Sequence, residues 1–307
     1  MNKKLTFATR PSALARWQTQ FVISQLKSQW PDLTCMEVVI TTQGDRILDQ
    51  PLPQIGGKGI FTYELEQALL AEKVDAAVHS LKDLPTEDAP GLSVAVIPLR
   101  ADVRDVWICP EGLGIDQVPA GSIVGTSSTR RAAQLKAYRP DLSVEPIRGN
   151  VGTRINKATE GQYDAIILAA AGIIRLGLEK HITEYLPYEI MLPAPGQGAL
   201  GIQCRADDDS TLRTLEVIDH SPTHLAVTAE RTFLAALGGG CSLPVGALAS
   251  TNGVQIDLAG IVAAEDGSRV LKISAAGEDP LRLGKTLAQQ ALAEGAADLL
   301  SNSKVTL

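Results

Sequence analysis

The sequence predicts a three-domain α/β protein. Strand-like runs alternate with helical patterns through two successive sets, Pro/Gly-rich segments cross between those sets twice, and the pattern changes after Asp219. At 307 residues the chain exceeds one typical domain of about 100–200 residues and has ample core without staples. In the first set, LTFAT from Leu5, MEVVIT from Met36, DAAVHS from Asp75 and LSVAVI from Leu92 read as strands, and residues 12–28 and 61–73 read as helices. Leu14, Trp17, Phe21, Val22 and Leu26 share a face of the first helix and are expected to pack in the core. The second set comprises SIVG before Thr126, a helix over 131–138, SVEPI, a helix from Val151, and DAIILAAAG from Asp164. PLRADVRD at 98–105 and LPAPGQGALGIQC at 192–204 suit hinge crossings, so the chain is expected to leave its first domain and return. This assigns 1–98 with 200–218 to domain 1, 99–199 to domain 2 and 219–307 to a small α+β domain 3. The last carries a helix over 225–237, the strands VGALAS, VQIDLAGIVA and SRVLKISAA, and a closing helix over 280–300.

Composition narrows the function. A net charge of -7 and a pI near 5.2 argue against a nucleic-acid binder held by bulk charge, so any basic site must be local. The N-terminal stretch lacks an apolar signal region before Arg10 and Arg16, and no run approaches the ~20 apolar residues of a membrane span. A cytoplasmic protein without membrane contacts is expected. Cys35, Cys109, Cys204 and Cys241 show no paired spacing, which indicates neither a metal site nor a disulfide framework. His220 and His224 are separated by Pro222 and read as surface or loop histidines.

Local basic sites are present. GTSSTRR at 125–131 and RGNVGTR at 148–154 set arginines beside hydroxyls and glycines. Guanidinium forks meet carboxylates and phosphates bidentately, and hydroxyls with backbone N–H groups complete such a cradle, so the expected ligand is a small polyanion. Two nucleotide signatures fail. Gly196, Gly198 and Gly201 spell GxGxxG, but a PAP loop precedes them where a strand is required. GKT at 284–286 lies inside an amphipathic helix, and Asp279 stands where a phosphate loop needs its first glycine. GGGCSLP at 238–244 leaves Cys241 on a flexible turn, as a nucleophile or attachment point or as an inert cap. HSLKDLP at 79–85 ends a strand with Lys82 and Asp83 adjacent; Asp83 is an acid, a base or a counter-ion, or part of a solvated turn. GGKGIF at 56–61 presents Lys58 on a lid or on a plain surface loop.

Together, ATRPSALARWQ, GGKGIF, HSLKDLPT, GTSSTRRAAQL, IRGNVGTR, DAIILAAAG, LPAPGQGALGIQCR and LGGGCSLPVG resemble the porphobilinogen deaminase family, the hydroxymethylbilane synthases. The resemblance spans nearly the whole chain, weakest from about Ala249. It implies two domains built like periplasmic binding proteins flanking a hinged cleft, and a small third domain bearing a cofactor. It implies stepwise head-to-tail condensation of four porphobilinogen molecules, each releasing ammonia, on a dipyrromethane cofactor held through Cys241. Linear hydroxymethylbilane is then freed for tetrapyrrole synthesis.

Each pyrrole carries an acetate and a propionate, so an arginine-lined site follows from the resemblance. Arg10, Ser12, Lys82, Arg130, Arg131, Arg148, Gly149, Asn150, Arg154 and Arg175 are implied to bind cofactor or substrate, with Thr126, Ser127 and Ser128 adding donors. Asp83 is implied to be the catalytic carboxylate, Lys58 and Phe61 to belong to a loop over the site, and Gln18 and Gln197 to line it. A monomer without a metal is implied. The chain departs from the usual family pattern at Pro11, Thr129 and Gly238, none of which removes a charged group. The rivals are a non-catalytic polycarboxylate-binding module and a nucleotide-dependent transferase; the failed glycine signatures count against the second.

Overall fold

Residues 4–46, 59–240 and 243–301 are described by the computed structural model. In chain order the elements are β1 (Lys4–Thr9), α1 (Ala13–Gln29), β2 (Thr34–Val39), α2 (Gln43–Arg46), α3 (Tyr63–Leu70), β3 (Ala76–Ser80) and β4 (Leu92–Val96). There follow β5 (Asp105–Ile108), β6 (Ile123–Gly125), α4 (Thr129–Tyr138), β7 (Ser143–Glu145), α5 (Val151–Thr159), β8 (Ala165–Ala169), α6 (Ala170–Arg175) and β9 (Glu184–Tyr185). The chain continues through β10 (Leu200–Arg205), α7 (Asp209–Leu215), α8 (Ser221–Ala236), β11 (Val245–Thr251), β12 (Ile256–Ala263), β13 (Val270–Gly277), α9 (Pro280–Ala293) and α10 (Ala296–Ser301). Two compact units result: Met1–Ala101 with Gly198–His224, and Asp102–Gln197 with Leu225–Leu307.

The α/β class holds, and the first two sheets share one topology. The first unit orders its strands β2-β1-β3-β10-β4, and the second contains a sheet ordered β7-β6-β8-β5-β9. In each, three strands run parallel and the fourth is antiparallel to its neighbours. That fourth strand, β10 in one sheet and β5 in the other, begins within or directly after a segment read from sequence as a crossing. GALGIQC is therefore mostly a buried strand, which its glycines disguise.

Both sheets are covered on two faces, as parallel sheets require. Leu5 and Phe7 of β1, Ala76 and Val78 of β3 and Ile202 of β10 pack with Val22, Ile23 and Leu26 of α1, while Ala8 and Ala77 turn to Leu65 and Leu69 of α3. The period of two recurs in the second unit: Trp107 and Ile167 meet Leu135 of α4, whereas Val106, Ile108, Ile166 and Leu168 meet Ile155 of α5 and Ile173 of α6.

Trp17 departs from its expected place. It is 38% exposed and stacks on Phe21 at 5.3 Å, because the buried stripe of α1 runs through Ala15, Gln18, Thr19, Val22, Ile23 and Leu26.

The third sheet, β11-β12-β13, is antiparallel and packs on α8, α9 and α10 through Phe233, Leu283, Leu287 and Leu299. A Cβ on Gly284 would lie 2.6 Å from the Ala229 carbonyl oxygen, so the glycine of GKT lets α9 approach α8. The closing helix read over 280–300 breaks at Gly295, whose φ of 96° is left-handed.

Candidate active site

Catalytic and binding groups in open α/β sheets gather where parallel strands end. In the first unit β1 runs into Arg10 and Ser12, and the next helix starts at once because the Ser12 hydroxyl caps α1 by accepting the Ala15 N–H. Arg10 donates from Nε to Asp45 Oδ2 at 3.2 Å and from Nη2 to Oδ1, and its guanidinium lies 4.1 Å from the centroid of Phe61. The Phe61 ring leaves no room for a side chain on Gly44, which sits in α2 beside Asp45. Burial pushes the Asp45 carboxyl up, but hydrogen bonds from Arg10 and Thr42 and the Arg10 charge outweigh it and hold the group below its ordinary 3.8.

Beyond β3 the chain turns through a short 3-10 helix, Leu81–Asp83. Leu81 and Leu84 are buried on either side, which turns Lys82 to a half-buried position and leaves Asp83 exposed. The turn is pinned by the Leu81 N–H on the Ala199 carbonyl, and Gly201 admits Leu81, whose Cδ1 lies 2.9 Å from where a Cβ would stand. Beneath it Gln18 is buried and donates to Ser80 Oγ at 2.9 Å. His79 is buried as well, 3.1 Å from Gln203 Oε1. Burial lowers its pKa to about 4; the Gln203 contact opposes this and the Arg10 charge adds to it.

In the second unit the same edge of the sheet carries the arginine motifs. After β6, Ser127 Oγ donates to the Ile147 carbonyl at 2.7 Å, Thr126 Oγ1 accepts from the Ser128 N–H, and Ser128 caps α4 by accepting the Arg131 N–H. After β7, Asn150 caps α5 by accepting the Thr153 N–H at 2.9 Å. Gly149, at a φ of 116°, allows the turn, and its carbonyl receives Arg154 Nε at 2.8 Å. Arg148 and Arg154 are half-buried. Arg175 ends α6, and burial pulls its guanidinium down to about 10.

Arg130 and Arg131 differ from their motif neighbours. Their side chains are 4% and 7% exposed and both pair with Asp105, which is fully buried. Burial holds the Arg130 guanidinium below the usual arginine range; Asp105 opposes that and Arg131 adds to it. Gln197 is not a simple polar liner: it is fully buried, and its amide donates to Asp105 Oδ1 and to the Val103 carbonyl. Asp105 is thus a node that the motif reading missed.

In the same unit the third sheet is preceded by the end of α8 and by Gly238, Gly239 and Gly240 with φ of 107°, 62° and 114°, all left-handed. Cys241 and Lys58 lie outside the described residues. Cys35, Cys109 and Cys204 are free thiols, and burial pushes Cys204 up to about 11. Cavities of about 530 and 340 Å³ in this unit involve Tyr188, Glu189, Ile261 and Lys272 and none of the expected ligand residues.

Residues 5–213 match the family model for the porphobilinogen deaminase dipyromethane cofactor binding domain, and residues 224–293 match the model for the porphobilinogen deaminase C-terminal domain. The chain belongs to the porphobilinogen deaminase family. Porphobilinogen deaminases from Brevibacillus brevis and Roseiflexus castenholzii are 50% and 49% identical over 97% and 98% of this chain and 97% and 100% of their own lengths. A solved methionine-binding protein, MetQ, covers 69% of this chain and 88% of its own at 12% identity and a TM-score of 0.44. As a porphobilinogen deaminase family member the chain is an enzyme, a transferase of tetrapyrrole biosynthesis with a dipyrromethane-binding domain. None of the described helices is long and apolar enough to cross a membrane. The donor set suits groups that carry carboxylates: in the first unit Lys82 follows β3, in the second Arg148 and Arg154 flank the start of α5 and Arg175 ends α6, and Arg130 Nε is buried without a partner among the described residues.

Proposed function

We propose that this chain carries out the porphobilinogen deaminase reaction, head-to-tail condensation of porphobilinogen with loss of ammonia, through the residues at its two strand edges. The observation that carries the assignment of the catalytic group is the Leu81–Asp83 turn, which holds an exposed carboxylate beside Lys82 where a parallel strand ends.

Dipyrromethane, when bound, supplies the pyrrole carbon from which the chain is lengthened. Arg10, Lys82, Arg130, Arg131, Arg148, Arg154 and Arg175 would hold its carboxylates and those of the growing product, with Thr126, Ser127, Ser128 and the N-termini of α4 and α5 adding neutral donors. Cys241 would anchor the cofactor as a thioether. A soft thiolate suits that bond, and three left-handed glycines leave the preceding turn without side chains to shield it.

Asp83 acts on the substrate. Breaking the C–N bond of the protonated aminomethyl group expels ammonia, which keeps the bonding pair, and leaves a cation delocalised over that pyrrole. The carboxylate accepts a hydrogen bond from the pyrrole N–H and stabilises the charge. The same carboxylate would accept the proton released once the substrate's methylene carbon has been joined to the growing product. The enzyme is read as a cytoplasmic monomer acting on porphobilinogen, without metal, nucleic acid or membrane.

Turnover of porphobilinogen to hydroxymethylbilane by wild type and Asp83→Asn tests this. The variant is expected to keep its cofactor, seen as intact mass, and to lose on the order of 10²- to 10³-fold in kcat. Near-wild-type kcat would remove Asp83 from the mechanism.

A further inference from the structure

Asp105, the first residue of β5, carries a carboxylate on which four donors of the described residues converge. Arg130 Nη1 reaches Oδ2 at 2.7 Å. Arg131 Nε and Nη2 reach Oδ1 at 3.0 and 2.7 Å, and Gln197 Nε2 reaches the same oxygen at 3.0 Å. Each guanidinium is also tied to a backbone carbonyl: Arg130 Nη1 donates to Leu192 at 2.7 Å and Arg131 Nη1 to Ile167 at 3.0 Å. Gln134 grips Leu192 from both sides, accepting its N–H at 2.8 Å and donating to its carbonyl at 3.1 Å. The planes of both arginines are thereby fixed.

Charge counting gives the cluster its meaning. Among these three side chains one buried carboxylate is compensated by one guanidinium and a second guanidinium is in excess, so Asp105, Arg130 and Arg131 together carry one net positive charge where they are screened from water. Arg130 Nε is buried and has no partner among the described residues, which leaves a donor for a group from outside. A bare pair of adjacent arginines would repel, and each would be free to turn away.

We propose that Asp105 is a positioning residue for the carboxylate-binding arginines: it holds Arg130 and Arg131 side by side and sets their combined charge at one. The inference rests on the carboxylate-bearing ligands of the proposed function. It deepens that reading by separating a residue that arranges the anion site from residues that touch the anion.

The test compares wild type, Asp105→Asn, Asp105→Glu and the double variant Asp105→Asn/Arg130→Gln, reading cofactor-loaded fraction by intact mass, and KM and kcat with porphobilinogen. In Asp105→Asn the cluster gains a positive charge and presents an amide N–H to donors. Its cofactor-loaded fraction is expected to fall at least tenfold. The double variant restores the net charge to one and is expected to recover at least threefold over Asp105→Asn, an outcome that a merely structural aspartate would not produce. In Asp105→Glu the charge stays but the guanidiniums shift, so KM is expected to rise at least fivefold with kcat within threefold. Wild-type loading and KM in Asp105→Asn would overturn the proposal, as would a double variant no better than the single one. If Asp105→Asn is insoluble, Asp105→Glu decides, and a wild-type KM there overturns it. A wild type without turnover would instead refute the proposed function itself.

Discussion

Arg10 in the first unit and Arg131 in the second each face an aspartate, yet the two pairs differ in what surrounds them. Arg10 and Asp45 are 26% and 11% exposed, and one face of the guanidinium lies against the Phe61 ring. Arg131 and Asp105 are 7% and 0% exposed, share the carboxylate with Arg130 and are braced by the Ile167 carbonyl. Partly exposed ion pairs contribute roughly 0–1 kcal/mol, whereas removing one partner of a buried pair costs about 3–5 kcal/mol. The same chemical pairing therefore serves two ends. At Arg10 the pair can be exchanged at little cost to the fold, as the proposed role in holding a ligand carboxylate requires. At Arg131 the aspartate is part of the scaffold and the guanidinium is already held.

Arg131→Leu breaks the buried member of this comparison and carries the largest expected effect on stability. Denaturant unfolding should show a loss of about 3–5 kcal/mol, together with impaired cofactor assembly. A loss below about 1 kcal/mol would put the two pairs in one class.

Acid sharpens the contrast from the side of the first unit. His79 has a folded pKa of about 4 against an ordinary 6.5, so the unfolded chain takes up a proton as pH falls below 6.5 while the folded chain resists until about 4. The unfolded state then binds more protons, and stability is lost as pH drops through that window. The expected loss is about 3 kcal/mol between pH 6.5 and 4. Denaturant unfolding at several pH values checks it, with His79→Gln expected to abolish this contribution.

The smallest effect on stability is expected for Arg10→Leu. It should change unfolding by less than about 1 kcal/mol while raising KM for porphobilinogen on the order of tenfold, the loss of one charge-assisted contact. A large fall in stability with unchanged KM would make Arg10 a scaffold residue like Arg131.

What could be read from sequence divides along the same line. The cradles at 125–131 and 148–154 were legible because a hydroxyl or amide cap and its helix are neighbours in sequence: Ser128 with the Arg131 N–H, Asn150 with the Thr153 N–H. Asp105 was not legible. It lay in a segment read as a hinge, and its partners are 25, 26 and 92 residues away. Gln18 hid part of the true core stripe of α1 for a related reason: a buried polar side chain satisfied across the fold, as Gln18 is by Ser80, carries no hydropathy signal. The strand order escaped as well, since the antiparallel strand of each sheet is supplied by a glycine-rich or charged crossing whose local pattern is weak.

The central claim is that this chain builds its product on a cofactor anchored at Cys241, and the intact mass of the purified, denatured protein tests it most directly. The wild-type mass should exceed that of the polypeptide by two porphobilinogens less their ammonia, an excess absent from Cys241→Ser. An unmodified wild-type mass that persists after incubation with porphobilinogen or hydroxymethylbilane would contradict it and leave a chain that binds polyanions without joining pyrroles.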